Sequence, residues 1–112
     1  MRFRITENAA RELEEIFLYW AKRASFEAAD RLVDGITERF WLLGEFPDAG
    51  RAADDIAAGV KCFGAGKYLI YYRKARRGID LLHIFHGARE QRQAFDERKN
   101  APRSDLLTTP GR

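Results

Sequence analysis

The sequence predicts a two-layer α+β domain: an N-terminal strand, an antiparallel helical hairpin laid on one face of a sheet, then a three-stranded antiparallel meander. Three observations predict it. Apolar residues recur at three- and four-residue steps from Ala9 to Leu43, the repeat of amphipathic helices. The helical stretch is broken once, near Ser25, by a connection of two or three residues, which forces the two helices to fold back on each other. After Val60 the pattern changes to short β-branched and aromatic runs separated by Gly-containing turns.

Each element follows from local chemistry. Arg2-Phe3-Arg4-Ile5 alternates polar and apolar residues and reads as a short strand. Thr6 is placed to cap the next helix, because its side-chain oxygen can accept from an otherwise unpaired backbone N–H. Ala9, Leu13, Ile16, Phe17 and Trp20 then trace a stripe over roughly residues 7–23, with Glu12, Glu14 and Glu15 assigned to the wet side. Ser25 caps a second helix, whose stripe is Ala29, Leu32, Val33, Ile36, Phe40 and Leu43; Gly44 and Pro47 end it. Gly35 inside that helix costs about 1 kcal/mol relative to alanine, and close helix packing is the expected compensation. Residues 48–59 read as an irregular loop. Strands follow at 60–63, 68–73 and 79–86, joined by Gly64-Ala65-Gly66 and Ala75-Arg76-Arg77-Gly78. Tyr68 to Tyr72 is apolar on both parities, so that strand belongs in the middle of the sheet. Arg89 to Lys99 reads as a short basic helix, which predicts one domain at residues 1–99 and a flexible polar tail at 100–112.

The 112 residues suffice for one core without disulfides or metals, and 46% hydrophobic with 33% charged residues is a globular composition. The lone Cys62 excludes an internal disulfide and multi-cysteine zinc motifs, and points to a reducing compartment. With no signal-peptide pattern and no apolar run of membrane-spanning length, a cytoplasmic location is expected. The net charge of +3 is unevenly distributed. Residues 1–60 hold 8 Lys/Arg against 12 Asp/Glu, a balance of −4, and residues 61–112 hold 12 against 5, a balance of +7. The second half therefore projects a field that attracts either nucleic acid or an acidic protein, and charge alone leaves both open.

Residues for catalysis are scarce. His83 and His86 are three apart on a strand, hence on opposite faces, which argues against a metal pair. His83 reads as a packed, hydrogen-bonded side chain and His86 as an exposed donor or general base. Cys62 reads as a small core residue, and Asp54-Asp55 as solvated loop carboxylates. No metal or cofactor is expected. The tyrosines interleaved with Lys67, Arg73 and Lys74 fit either base stacking or ordinary sheet packing, with packing favoured.

Three strings resemble a known family. Pro47-Asp48-Ala49-Gly50-Arg51 resembles the P-x-x-G-R signature that follows the helical hairpin of ParE-type toxins. Lys67-Tyr68-Leu69-Ile70-Tyr71-Tyr72-Arg73 is similar to their central strand, and His86-Gly87-Ala88-Arg89-Glu90 to the turn after their last strand. The likeness covers residues 1 to about 95 and implies the fold of the ParE/RelE toxin superfamily. RelE-type members cleave messenger RNA on the ribosome with cationic residues and usually a tyrosine. Against that pattern the loop lysines are missing, Phe63 stands where an arginine is expected, and Phe95 replaces the terminal-helix tyrosine. The resemblance to ParE-type toxins instead implies a type II toxin that inhibits DNA gyrase by binding. A co-expressed antitoxin, ParD-like with an acidic amphipathic tail, would neutralise it.

Two alternatives stand beside that expectation. One is a ribosome-dependent ribonuclease using Arg89, Lys67 and His86; the other is a toxin-fold protein that only binds its antitoxin. Target contact is expected from Arg51, Lys67, Arg73, His86, Arg89 and Arg92. Arg51 and Arg89 have an equally weighted structural role, bonding backbone carbonyls or carboxylates such as Asp54. Phe17, Trp20, Phe40 and Trp41 are more large aromatics than one small core buries, so they are expected to present an apolar patch to the antitoxin.

Overall fold

The computed structural model describes residues 2–87. The expected terminal helix and tail, with Arg89, Arg92 and Phe95, lie outside the described residues. Strand β1 (Phe3–Ile5) leads into α1 (Glu7–Arg23), and α2 (Phe26–Glu45) returns antiparallel to it. Strands β2 (Arg51–Ala52), β3 (Val60–Ala65), β4 (Tyr68–Ala75) and β5 (Gly78–His86) follow. The sheet order is β1-β5-β4-β3-β2, so β4 is central, as its two-sided apolar pattern predicts. The meander pairs are antiparallel, and β1 lies parallel to β5 at one edge, with Phe3, Arg4 and Ile5 beside Ile79, Asp80 and Leu81.

The caps form where the sequence puts them. Thr6 Oγ1 accepts from Ala9 N–H at 3.3 Å and donates to the Leu81 carbonyl at 2.7 Å, so one hydroxyl starts α1 and fastens it to β5. Ser25 Oγ accepts from Ala28 N–H at 3.0 Å. Between the hairpin and the sheet, Ala9, Ile16, Ile36, Phe40 and Leu43 pack against Ile70, Tyr72, Ile79, Leu81 and Ile84. Burial of these apolar surfaces is the main driving force for the two-layer arrangement.

Four expectations are corrected. Helix α2 does not stop at Gly44 but runs through it to Glu45. A side chain at Gly44 would press on Arg2, whose Cβ lies 2.9 Å from where the new Cβ would sit, so this glycine admits β1 rather than ending the helix. Gly35 is not a close-packing site: an added Cβ would meet only Arg39 Nη1, at 3.9 Å. The loop at 48–59 contains the edge strand β2, where Arg51 and Ala52 pair with Cys62 and Lys61. Only two residues long, with both side chains exposed, it carries no hydrophobic alternation to reveal it.

The fourth correction is Glu12. It is buried, at 6% exposure. Strand β1 covers β5 only as far as Leu81, and α1 then passes over the uncovered β5 edge. There Glu12 Oε1 accepts from Ile84 N–H at 2.8 Å, and Oε2 lies 2.9 Å from His83 Nδ1. A carboxylate thus occupies the position a sixth strand would take, satisfying a backbone donor that would otherwise be buried unpaired.

A bulge in the β4–β5 register, where Tyr71 pairs with His83 and Tyr72 with Leu81, leaves Leu82 unpaired. Tyr71, His83 and Phe85 therefore share the sheet face away from the helices. That face has a small core of its own: Ala53, Val60, Cys62 and Tyr71 are buried, with Ile56 and Ala57 of the loop packed over them.

Candidate functional site

The P-x-x-G-R turn is built around one buried hydroxyl. Tyr72 Oη donates to the Pro47 carbonyl at 2.8 Å and accepts from Gly50 N–H at 2.8 Å. A Cβ at Gly50 would lie 2.5 Å from that oxygen and 2.8 Å from the Cys62 carbonyl, so only glycine fits. The turn delivers Arg51 to the start of β2, exposed, with Nη2 3.7 Å from Cys62 Sγ. The anticipated Arg51–Asp54 contact is not what forms. Asp54 Oδ1 instead accepts from Gly59 N–H at 2.9 Å, closing its own loop. Burial pushes the Cys62 thiol up, with the Arg51 charge opposing, and burial likewise raises the Tyr71 and Tyr72 hydroxyls.

The described target candidates fall in two places. Lys67 and His86 meet at the β3–β4 turn: Gly87 N–H donates to the Lys67 carbonyl at 2.9 Å, and the His86 ring stands edge-on to Tyr68, 5.1 Å between centroids. They line a groove of about 510 Å³ between α1 and β5, with Trp20, Tyr19 and Glu15 on the opposite wall. Trp20 Nε1–H donates to Tyr68 Oη at 2.8 Å, fixing one side of the groove. Arg73 is six residues further along β4, roughly 20 Å away, on the exposed side near Arg51. Its Nη2 donates to the Ala58 carbonyl at 2.9 Å. Arg89 and Arg92 lie outside the described residues.

The four aromatics expected to face an antitoxin also separate. Phe40 is fully buried beneath β1 and is core, because its position on α2 faces the sheet rather than solvent. Phe17 is half-buried against the Phe26 ring, 5.2 Å away, where the two helices meet. Trp20 lines the groove. Trp41 is 57% exposed with one edge against Phe3, and Phe46, 63% exposed, extends that apolar surface with Leu42. Phe46 and Leu42 went unnoticed in the sequence because they lie off the buried stripe. The signal available was two large apolar residues on the wrong side of a helix end.

The tyrosines do not form a stacking surface: Tyr68, Tyr71 and Tyr72 are all buried. His83 and Glu12, the buried acid–base pair, close the β5 edge. Two carboxylates are held below their usual range, the half-buried Asp80 by its hydrogen bond from Arg4 and the exposed Asp48 by its hydrogen bond from Lys74. Among the described residues, no helix is long and apolar enough to cross a membrane and no cluster of potential metal ligands forms.

Comparison with known proteins agrees with this architecture. The profile of the family described as the ParE toxin of the parDE type II toxin–antitoxin system matches residues 3–91. Toxin ParE1 of Caulobacter vibrioides is 21% identical over 84 residues, which span 75% of this chain and 86% of that protein. A solved structure from the chromosomal ParDE toxin–antitoxin system of P. aeruginosa superposes with a TM-score of 0.69. It is 23% identical, and the match covers 79% of this chain and 97% of that one, showing a shared fold. The span of the family match, with the turn, central strand and element order already described, places this chain in the ParE toxin family of type II toxin–antitoxin systems.

Proposed function

We propose that this toxin acts by binding DNA gyrase and trapping its cleaved-DNA state, and that a cognate ParD-like antitoxin neutralises it by covering the apolar surface. The observation that carries the reading is the use made of Glu12 and His83. The one buried acid–base pair among the described residues has its carboxylate bonded to a backbone amide at the β5 edge, a structural use, although Glu12 also lines the groove. The exposed features that remain are those of a binding protein: Arg51 on a fixed turn, Lys67 and His86 beside a groove, and Trp41 and Phe46 at the end of α2. Trp41, Trp20 and Phe17 are assigned to the antitoxin, and Arg51, Lys67, Arg73, His86, Arg89 and Arg92 to the target.

The meeting of Lys67 and His86 at one groove supports a second reading, ribosome-dependent cleavage of messenger RNA, in which the two would supply charge stabilisation and proton transfer. Paired assays separate the two. Purified toxin is expected to inhibit supercoiling by gyrase, to increase cleaved DNA, and to leave translated messenger intact. Specific cuts in translated messenger, abolished by His86→Ala and Lys67→Ala, with gyrase unaffected, would replace the first reading by the second.

A further inference from the structure

The β4–β5 turn carries a cationic site separate from the target candidates at the groove. Arg76 and Arg77 form the turn, and with Arg2, Gly44, Glu45, Pro47 and Gly78 they line a cleft of about 510 Å³. Arg2 has a carboxylate neighbour, Glu45 Oε2 at 3.7 Å. Among the described residues, neither Arg76 nor Arg77 has a carboxylate within 4.0 Å. Further along β4, Lys74 is paired with Asp48, and Arg73 bonds only a carbonyl. Three guanidiniums facing one carboxylate leave the cleft with a positive excess at the hairpin turn.

We propose that this cleft binds the phosphate backbone of duplex DNA. Guanidinium groups match phosphate through paired N–H donors. The cleft contains no large apolar side chain, only Pro47, so it lacks the desolvated anchor on which a protein partner's binding energy normally rests. None of the residues that line the cleft is aromatic, so single-stranded bases find no ring within it to stack on. A polyanion read through its backbone needs neither. The arginines also lie beside the C-terminus of α2, whose last turn holds no basic residue, so a purely structural role is the competing explanation.

The test needs no gyrase or antitoxin, so its failure leaves the toxin reading intact. The full chain is titrated with a labelled duplex oligonucleotide, by fluorescence anisotropy, over a range of potassium chloride concentrations. Each phosphate contact contributes about 0.9 to the slope of log affinity against log salt. The double change Arg76→Ala with Arg77→Ala is therefore expected to reduce the slope by about 1.8, with melting temperature unchanged. Arg76→Lys with Arg77→Lys keeps the slope. An unchanged slope in the alanine variant overturns the proposal, as does a fall in melting temperature without a change in slope. Polyglutamate competing as well as duplex, or a preference for single-stranded RNA, overturns it equally.

Discussion

Glu12 shows how one side chain supports a sheet. Its carboxylate receives the Ile84 amide and the His83 ring in a site where both side chains are below 10% exposed. Removing the acceptors strands those groups, at about 1–3 kcal/mol for each buried partner left unsatisfied. Glu12→Ala should destabilise the fold by about 2–4 kcal/mol, read by urea denaturation, and Glu12→Gln by less, because its amide oxygen still accepts from Ile84. A loss under about 0.5 kcal/mol for the alanine variant would mean that water replaces the carboxylate. The residue was legible in principle: it stands three after Ala9 and four before Ile16, on the buried stripe, and only its charge argued for solvent. Cys62 makes the opposite case, since its apolar neighbours give away its burial. Raised by that burial, its thiol stays protonated at neutral pH. Alkylation by iodoacetamide should be slow in the native protein and fast in denaturant; rapid native labelling would place the thiol at the surface.

Elements that repeat a period were readable, and those that rest on a single contact were not. Both helices, both N-caps and the meander follow from spacing and cap chemistry. Strand β2 and the parallel pairing of β1 depend on tertiary approach. Gly78, at φ 130° with Arg2 O 1.9 Å from where a Cβ would sit, shows how closely β1 comes in. The glycines of the hairpin and turn make this distinction measurable. Gly35→Ala adds a methyl group that makes only an ordinary contact with Arg39 in a helix and should stabilise by about 0.5–1 kcal/mol, raising the melting temperature by a few degrees. Gly50→Ala drives a methyl group into the Tyr72 hydroxyl and the Cys62 carbonyl, and should cost about 1–3 kcal/mol. Tyr72→Phe leaves the ring but strands the Gly50 amide and should cost about 1–3 kcal/mol. If Gly35→Ala destabilises and Gly50→Ala does not, the packing roles assigned to the two glycines are reversed.

Across the whole molecule, charge is unevenly divided between the two halves of the sequence. Trp41, Leu42 and Phe46 are exposed at the C-terminal end of the hairpin, Phe26 and Tyr19 elsewhere on it, and the second half of the sequence carries the +7 balance. The proposed acidic antitoxin tail would meet both, so its association rate should fall as salt rises, with the dissociation rate set by apolar contacts. Trp41→Ala should weaken the complex at least tenfold, measured by calorimetry, whereas changes at Phe40 act only through stability because that ring is core. The sequence could count too many aromatics for one core; it could not say which faced outward, since that depends on how α2 rotates over the sheet.

The proposed action on gyrase is occupancy of the target, which differs from turnover in its stoichiometry. Titrating the toxin into gyrase, at an enzyme concentration well above the dissociation constant, tests it most directly. Supercoiling activity should fall in proportion to added toxin and reach its floor at a fixed ratio, independent of incubation time, with cleaved DNA rising in step. Inactivation that completes at a small fraction of that ratio and deepens with time would show catalysis, and an unaffected gyrase would show a different target; either result rules out inhibition of gyrase by occupancy.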